Sequence, residues 1–251
     1  MDYTLRGATE NDYARAFKHN NVRVNNGTIQ LTVKNEGGKH SSGSFATRRD
    51  DFLYGTYRAY MKTSNISGTV AAFFFYRNRT AEIDIETLSR LQNPWKTYLA
   101  VQPQLYNKDG SAAPETSDKH ILAFNPTTDF HEYRFDWLPG SVTFYVDGHV
   151  LNTMTTNVPD SAGRIIVSHW TDGNPNFSGG PPSEDAQLTI ANMTMFFNSS
   201  RATNILSCEK AQNACKMIPG SDFSSKHHHS DAPRISVPFM TILLLLLVAC
   251  I

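Results

Sequence analysis

Residues 130–148 constrain the fold more than any other stretch. His131, Tyr133, Phe135 and Trp137 alternate with Glu132, Arg134 and Asp136. A period of two gives one apolar and one polar face only when the backbone is extended. Leu138-Pro139-Gly140 then supplies a turn, residues 141–146 a partner strand, and Asp147-Gly148 the dipeptide that favours a two-residue hairpin. The same grammar recurs along the chain. Asn25-Asn26-Gly27 feeds the alternating strand Thr28-Ile29-Gln30-Leu31-Thr32-Val33. Residues 52–62 alternate aromatic and polar side chains, and residues 68–76 are a run of strand formers expected to be buried on both faces. Further strands are expected at residues 81–88, 97–104, 164–170 and 186–198, with a loop rich in Gly, Pro and Asn over 172–182. No long amphipathic helix is evident. Many short strands with regular turns predict an all-β sandwich or jelly roll of two antiparallel sheets.

At 251 residues the chain is long for an average domain but ordinary for one large β-sandwich. The 15 Phe and 10 Tyr lean the same way, since aromatic side chains suit pleated, half-buried surfaces. The expected organisation is one domain over residues 1–206, a polar Cys-containing tail over 207–236 and an apolar terminus over 237–251. Lys plus Arg and Asp plus Glu are both 23, giving a formal charge of +0. No basic patch stands out, which argues against nucleic acid and fits a neutral polymer.

The chemistry concentrates in Glu82-Ile83-Asp84-Ile85-Glu86. Strand geometry puts the three acids on one face and the two isoleucines on the other. Two isoleucines can anchor the strand in a core, whereas three like charges in a row have no structural value. They raise one another's pKa, which is useful where one carboxylic acid must stay protonated beside an ionised neighbour. Retaining glycosidases need that pairing, with carboxyls about 5–5.5 Å apart. Residues four apart on a flat strand have Cα atoms about 13 Å apart at ~3.3 Å per residue, so the sheet must be curved and the side chains must lean together. The alternative is a solvated acidic edge strand.

The segment resembles the Glu-x-Asp-x-Glu motif of glycoside hydrolase family 16, on a concanavalin A-like β-jelly roll with a concave substrate cleft. The resemblance extends to Gly55-Thr56-Tyr57-Arg58-Ala59-Tyr60-Met61-Lys62 with Gly68-Thr69-Val70, and to residues 130–137 with Phe144-Tyr145-Val146-Asp147-Gly148. His169-Trp170-Thr171-Asp172-Gly173-Asn174-Pro175 with Ser178-Gly179-Gly180-Pro181-Pro182 is similar to fungal, GPI-anchored, wall-associated members. The resemblance implies Glu82 as nucleophile, Glu86 as general acid/base, and Asp84 as the hydrogen-bonding partner of the nucleophile. The motif lacks the inserted residue of many β-1,3-glucanases. Unbulged members include mixed-linkage β-1,3-1,4-glucanases and cell-wall transglycosylases, although Thr87-Leu88-Ser89-Arg90 departs from the mixed-linkage pattern.

Aromatic rings stack on sugar faces. Trp170 is the foremost candidate for a substrate contact, with Trp95 and Tyr106 beside it and Gln102 as a hydrogen-bonding candidate on the next strand. Their alternative places are the core or rim for the tryptophans and the plain surface for Gln102. Trp137 is expected in the core, and His169 on the face opposite Trp170. No Asp-rich loop supports a calcium ion, and neither metal nor cofactor is expected.

Cys208 and Cys215 close a short loop and would pair in an oxidising compartment, the alternative being two free thiols. Residues 239–251 are almost unbroken apolar, too short for the ~20 residues of a spanning helix. With a polar spacer at 226–233 and small residues within 220–225, they read as a GPI-attachment signal; the alternative is a tail-anchored helix. Met1-Asp2-Tyr3-Thr4-Leu5-Arg6 has neither a basic n-region nor an apolar h-region. A signal peptide and a first strand are therefore expected upstream of Met1. Six Asn-x-Ser/Thr sequons, at Asn26, Asn65, Asn78, Asn176, Asn192 and Asn198, accord with secretion.

The expected function is a retaining endo-β-glucanase at the cell surface or wall, a monomer whose partners are β-glucan and, through the GPI anchor, the membrane. A glucan transglycosylase would share the chemistry up to the glycosyl-enzyme. A non-catalytic glucan-binding lectin would lack one of the two glutamates, and both are present.

Overall fold

The computed structural model describes residues 1–6 and 13–201. Cys208, Cys215, the GPI-attachment region and the apolar terminus lie outside the described residues.

Sixteen strands and one turn of 3-10 helix make up the described chain. The strands are β1 (Tyr3–Leu5), β2 (Arg15–Phe17), β3 (Val22–Asn25), β4 (Thr28–Glu36), β5 (Lys39–Ser41), β6 (Gly43–Ala46), β7 (Phe52–Lys62) and β8 (Val70–Asn78). They continue as β9 (Ala81–Leu88), β10 (Lys96–Gln102), β11 (Ser117–Ile121), β12 (His131–Leu138), β13 (Ser141–Val146), β14 (His149–Met154), β15 (Arg164–Trp170) and β16 (Ala186–Ser199). Two antiparallel sheets face each other. One has the order β11-β10-β9-β8-β15-β6, the other β14-β13-β12-β7-β16-β4-β3 with β5 paired to β4. The expected all-β jelly-roll sandwich is the observed architecture.

Alternation decides what lies between the sheets. Tyr133, Phe135 and Trp137 of β12 are fully buried, and so are Tyr57 and Ala59 of β7, with Met61 nearly so. Facing them from the six-stranded sheet are Phe73 and Phe75 of β8, Ile83 and Ile85 of β9, Leu99 and Val101 of β10, and Ile165 and Val167 of β15. Phe75 packs on Trp137 at 4.4 Å between ring centroids and Phe73 on Phe135 at 5.3 Å, so aromatic contacts join the two layers. The indole Nε1 of Trp137 donates to Pro159 O at 2.9 Å, which satisfies its one polar atom inside the core. His169 lies on this inner side as expected and is fully buried. Its ring is held by Leu31 O at 3.0 Å and Thr69 Oγ1 at 2.9 Å, and burial pushes its pKa down to about 4, so it is a neutral structural residue.

The hairpin signals materialise. Asp147 and Gly148 both take positive φ, 49° and 78°, as a two-residue turn of the primed type requires. At Gly55, φ is 150° and a Cβ would come within 2.1 Å of Phe196 O, so the pairing of β7 with β16 admits no side chain there.

Sequence patterning did not reveal the short strands β1, β2, β3, β5, β6, β11 and β14. Three-residue pairings such as β1 with β2 carry no readable period, and tertiary contacts hold them. β2 attaches to the six-stranded sheet at its β6 end through a parallel bridge between Phe17 and Ser42, with Ser42 N donating to Ala16 O at 2.7 Å.

Trp137→Ala should cost about 3–5 kcal/mol, since it empties a fully enclosed site and orphans a carbonyl. Urea unfolding monitored by circular dichroism measures this.

Candidate active site

β9 is held on both sides. Its register with β10 pairs Glu82 with Gln102, Asp84 with Ala100 and Glu86 with Tyr98. Its register with β8 pairs Glu82 with Tyr76, Asp84 with Phe74 and Glu86 with Ala72. Neither ladder is interrupted between Glu82 and Thr87, so the acidic row is carried by a regular, unbulged strand. Ile83 and Ile85 are locked in the core at 0% and 1% exposure, which commits Glu82, Asp84 and Glu86 to the outer face of the sheet.

At its Glu82 end that face floors a cavity of about 890 Å³, which Asp84 and Glu86 do not line. Glu82 lines it together with Phe74 and Tyr76 of β8, Ser168 and Trp170 of β15, and Arg15 of β2; Tyr3 to Arg6, along β1, form a wall. The acidic strand is therefore central and not a solvated edge.

Burial and mutual repulsion set the protonation of the row. Burial pushes Glu82 up to about 6, opposed by its hydrogen bond with Asp84 and by the nearby cation of Arg15. Glu86 is pushed up to about 7, by burial first, then by the charge of Glu82 against the pull of Arg15, with a further rise from Asp172. Asp84, 7% exposed, is raised by burial and by both glutamates, and it shares a hydrogen bond with Glu82. Three crowded carboxyls cannot all ionise. Glu82 ionises first and Glu86 keeps its proton longer, while a protonated Asp84 donates to Glu82. An ionised carboxylate and a carboxylic acid then share one surface near neutral pH, a division suited to nucleophilic and acid chemistry on one bond.

The profile of "Glycosyl hydrolases family 16" matches residues 9–192. The chain belongs to glycosyl hydrolase family 16. A β-glucanase of Acetivibrio thermocellus is 35% identical over 162 residues, which are 61% of this chain and 46% of that protein. A β-glucanase of Paenibacillus polymyxa is 32% identical over 161 residues, 61% of this chain and 63% of that protein. These matches therefore span less than two thirds of either relative's length. The solved β-glucanase of Bacillus licheniformis superposes with a TM-score of 0.63 at 24% identity, covering 78% of this chain and 90% of that one, and shares its fold.

Within this family 16 framework, the expected substrate-binding residues separate. Gln102 lies beside the acidic row, its Nε2 donating to Asp84 Oδ2 at 3.4 Å and its Oε1 accepting from Gln104 N at 3.2 Å. Trp170 lines the cavity, but the residue is only 7% exposed. Phe177 stacks on it at 5.8 Å, and the Arg15 guanidinium lies over it at 4.6 Å. Its surface is thus largely occupied by protein. Trp95 is not in the cleft. It is 8% exposed and joins the inter-sheet core, because the turn before β10 folds it inward. Tyr106 is 65% exposed in the loop after β10, where its hydroxyl donates to Gln104 Oε1, and it does not line the cavity. Arg15, Phe74, Tyr76 and Asp172 were missed. For Phe74 and Tyr76 the signal existed: strand alternation across from Glu82 and Asp84 would have put them on the acidic face. Among the described residues, no group of three His, Cys, Asp or Glu side chains is placed to hold a metal ion.

The raised carboxyls burden the fold. Glu86 binds its proton at about 7 when folded and at 4.5 when unfolded. The contribution of Glu86 to folding stability therefore rises as pH falls from about 7 to about 4.5 and is lost above about 7. Glu86→Gln should raise Tm at pH 8 and lose that advantage below pH 4.5, as read by calorimetry at the two pH values.

Proposed function

We propose that this protein is a retaining endo-β-glucanase whose nucleophile is Glu82 and whose general acid/base is Glu86. The observation that carries this reading is the row of Glu82, Asp84 and Glu86 on the outer face of one regular, centrally placed strand, with Glu82 lining a cavity of about 890 Å³. In the proposed cycle, ionised Glu82 attacks the anomeric carbon while protonated Glu86 gives its proton to the leaving glycosidic oxygen. Protonated Asp84, steadied by Gln102, donates to Glu82 and disperses its charge as the glycosyl-enzyme breaks down. Glu86, now ionised, takes a proton from the attacking water, and Glu82 leaves as a carboxylate.

A mixed-linkage β-1,3-1,4-glucan is the proposed substrate. The unbulged β9 supports the linkage, and the relatives named as β-glucanases support a β-glucan of either linkage. A wall-associated, GPI-tethered fungal setting is proposed from the apolar terminus and its spacer. All six sequon asparagines are exposed, which suits passage through a glycosylating compartment.

Glu82→Gln and Glu86→Gln should each lower kcat/KM on barley β-glucan by at least about 10³-fold. Unchanged turnover in either variant rejects the assignment. Proton NMR of fresh digests should show the β-anomer first; an initial α-anomer rejects retention. Adding labelled oligosaccharide acceptors separates hydrolysis from transfer, and polymer binding without turnover by the native chain favours a lectin.

The pH profile of kcat/KM should be a narrow bell. Activity falls below about 6 as Glu82 takes up a proton and falls above about 7 as Glu86 loses one. Initial rates across pH 4–9 measure both limbs.

A further inference from the structure

The segment Tyr13 to Phe17 lies outside the layered core, yet it is fastened at several points beside the acidic strand. Tyr13 N donates to Asp172 O at 2.6 Å. The Tyr13 ring packs so closely on Gly173 that a Cβ there would come within 2.1 Å of it. Phe17, 5% exposed, bridges to Ser42 and stacks on Tyr3 of β1 at 4.7 Å. Between these anchors stands Arg15. Its guanidinium lies 4.6 Å from the centre of the Trp170 ring, and it shares the cavity lining with Glu82.

A guanidinium over an indole face is held by the ring's negative quadrupole, and its planar shape suits the stack. Trp170 therefore serves as a platform for a cation. We infer that Arg15 is a positioning residue of the carboxylate row, carried to it by the N-terminal strand pair and held on Trp170 so that its positive charge favours the ionised form of Glu82. The inference rests on the proposed roles of Glu82 and Glu86. It adds that the N-terminal segment completes the site electrostatically.

The charge balance around the row supports this. Burial raises all three carboxyls, and Asp172 on the loop after β15 raises Glu86 further. Gln102 on β10 contributes only a neutral hydrogen bond, to Asp84. Arg6, just after β1, and Arg79, on the β8–β9 turn, also line the cavity, but the cation that opposes the rise at both Glu82 and Glu86 is Arg15. Without Arg15, burial would leave Glu82 protonated over more of the neutral range and blunt it as a nucleophile.

The test is a pair of variants read by pH profile and by direct titration. Arg15→Gln should move both limbs of the kcat/KM bell to higher pH by about one unit, the lower end of the effect of an opposite charge at close range. At pH 6 the loss should be roughly fivefold. Arg15→Lys retains the charge and should keep both limbs at the native positions. A role in packing alone predicts lower Tm in both variants with unmoved limbs, and that result overturns the inference, as does an equal shift in Arg15→Lys. Carboxyl ¹³C NMR titration of Glu82 and Glu86 in native protein and Arg15→Gln reads the same shift without turnover. A native chain inactive on every β-glucan tested rejects the proposed function, while the titration still decides the role of Arg15.

Discussion

Anchoring one side of a strand commits the other. Ile83 and Ile85 fill the space between the sheets with almost no exposure, and Glu82, Asp84 and Glu86 have nowhere to point but outward. Ladders to β8 and β10 that run without a break from Glu82 to Thr87 prevent the strand from sliding, since a slip of one residue would bury the acids and expose the isoleucines. The core thus acts as the jig for the chemistry, with the aromatic contacts of Phe73 and Phe75 on Phe135 and Trp137 keeping the two sheets in place.

The same arrangement sets stability against function. A carboxyl beside two others, in a half-enclosed site, resists ionisation, and the molecule carries that penalty at neutral pH. His169 works in the opposite sense on the inner face of the same sheet. Fully buried and neutral, it stays unprotonated to about pH 4 while an unfolded chain would take up a proton near 6.5. Acidification therefore relieves the carboxyl row and penalises the histidine, and the net slope of stability with pH is a difference between the two.

Much of this could be read from residue order. The alternation in residues 130–137, the Asp147-Gly148 turn and the Glu-Ile-Asp-Ile-Glu period gave a hairpin and the acidic face, and each strand that was expected appears within about three residues of its expected bounds. The aromatic contacts were less legible. Trp95, Trp170 and Tyr106 all sit near turns, and a loop residue's direction has no period to betray it. Trp95 turned into the core, Tyr106 turned to solvent, and Trp170 reached the cleft only to be covered by Arg15 and Phe177. Arg15 itself stands in a three-residue strand with no pattern around it.

The sequence by itself determined what is local: which positions are extended, which face of each strand is apolar, and that three acids share a side. These follow from the two-residue repeat of an extended backbone and need no neighbour. Only the tertiary structure decided which strands flank β9, how far the acids are withdrawn from water, and which cation stands over Trp170. Those are properties of sheet order and of chain returning from far along the sequence, and desolvation and charge act through space with no regard for position in the chain.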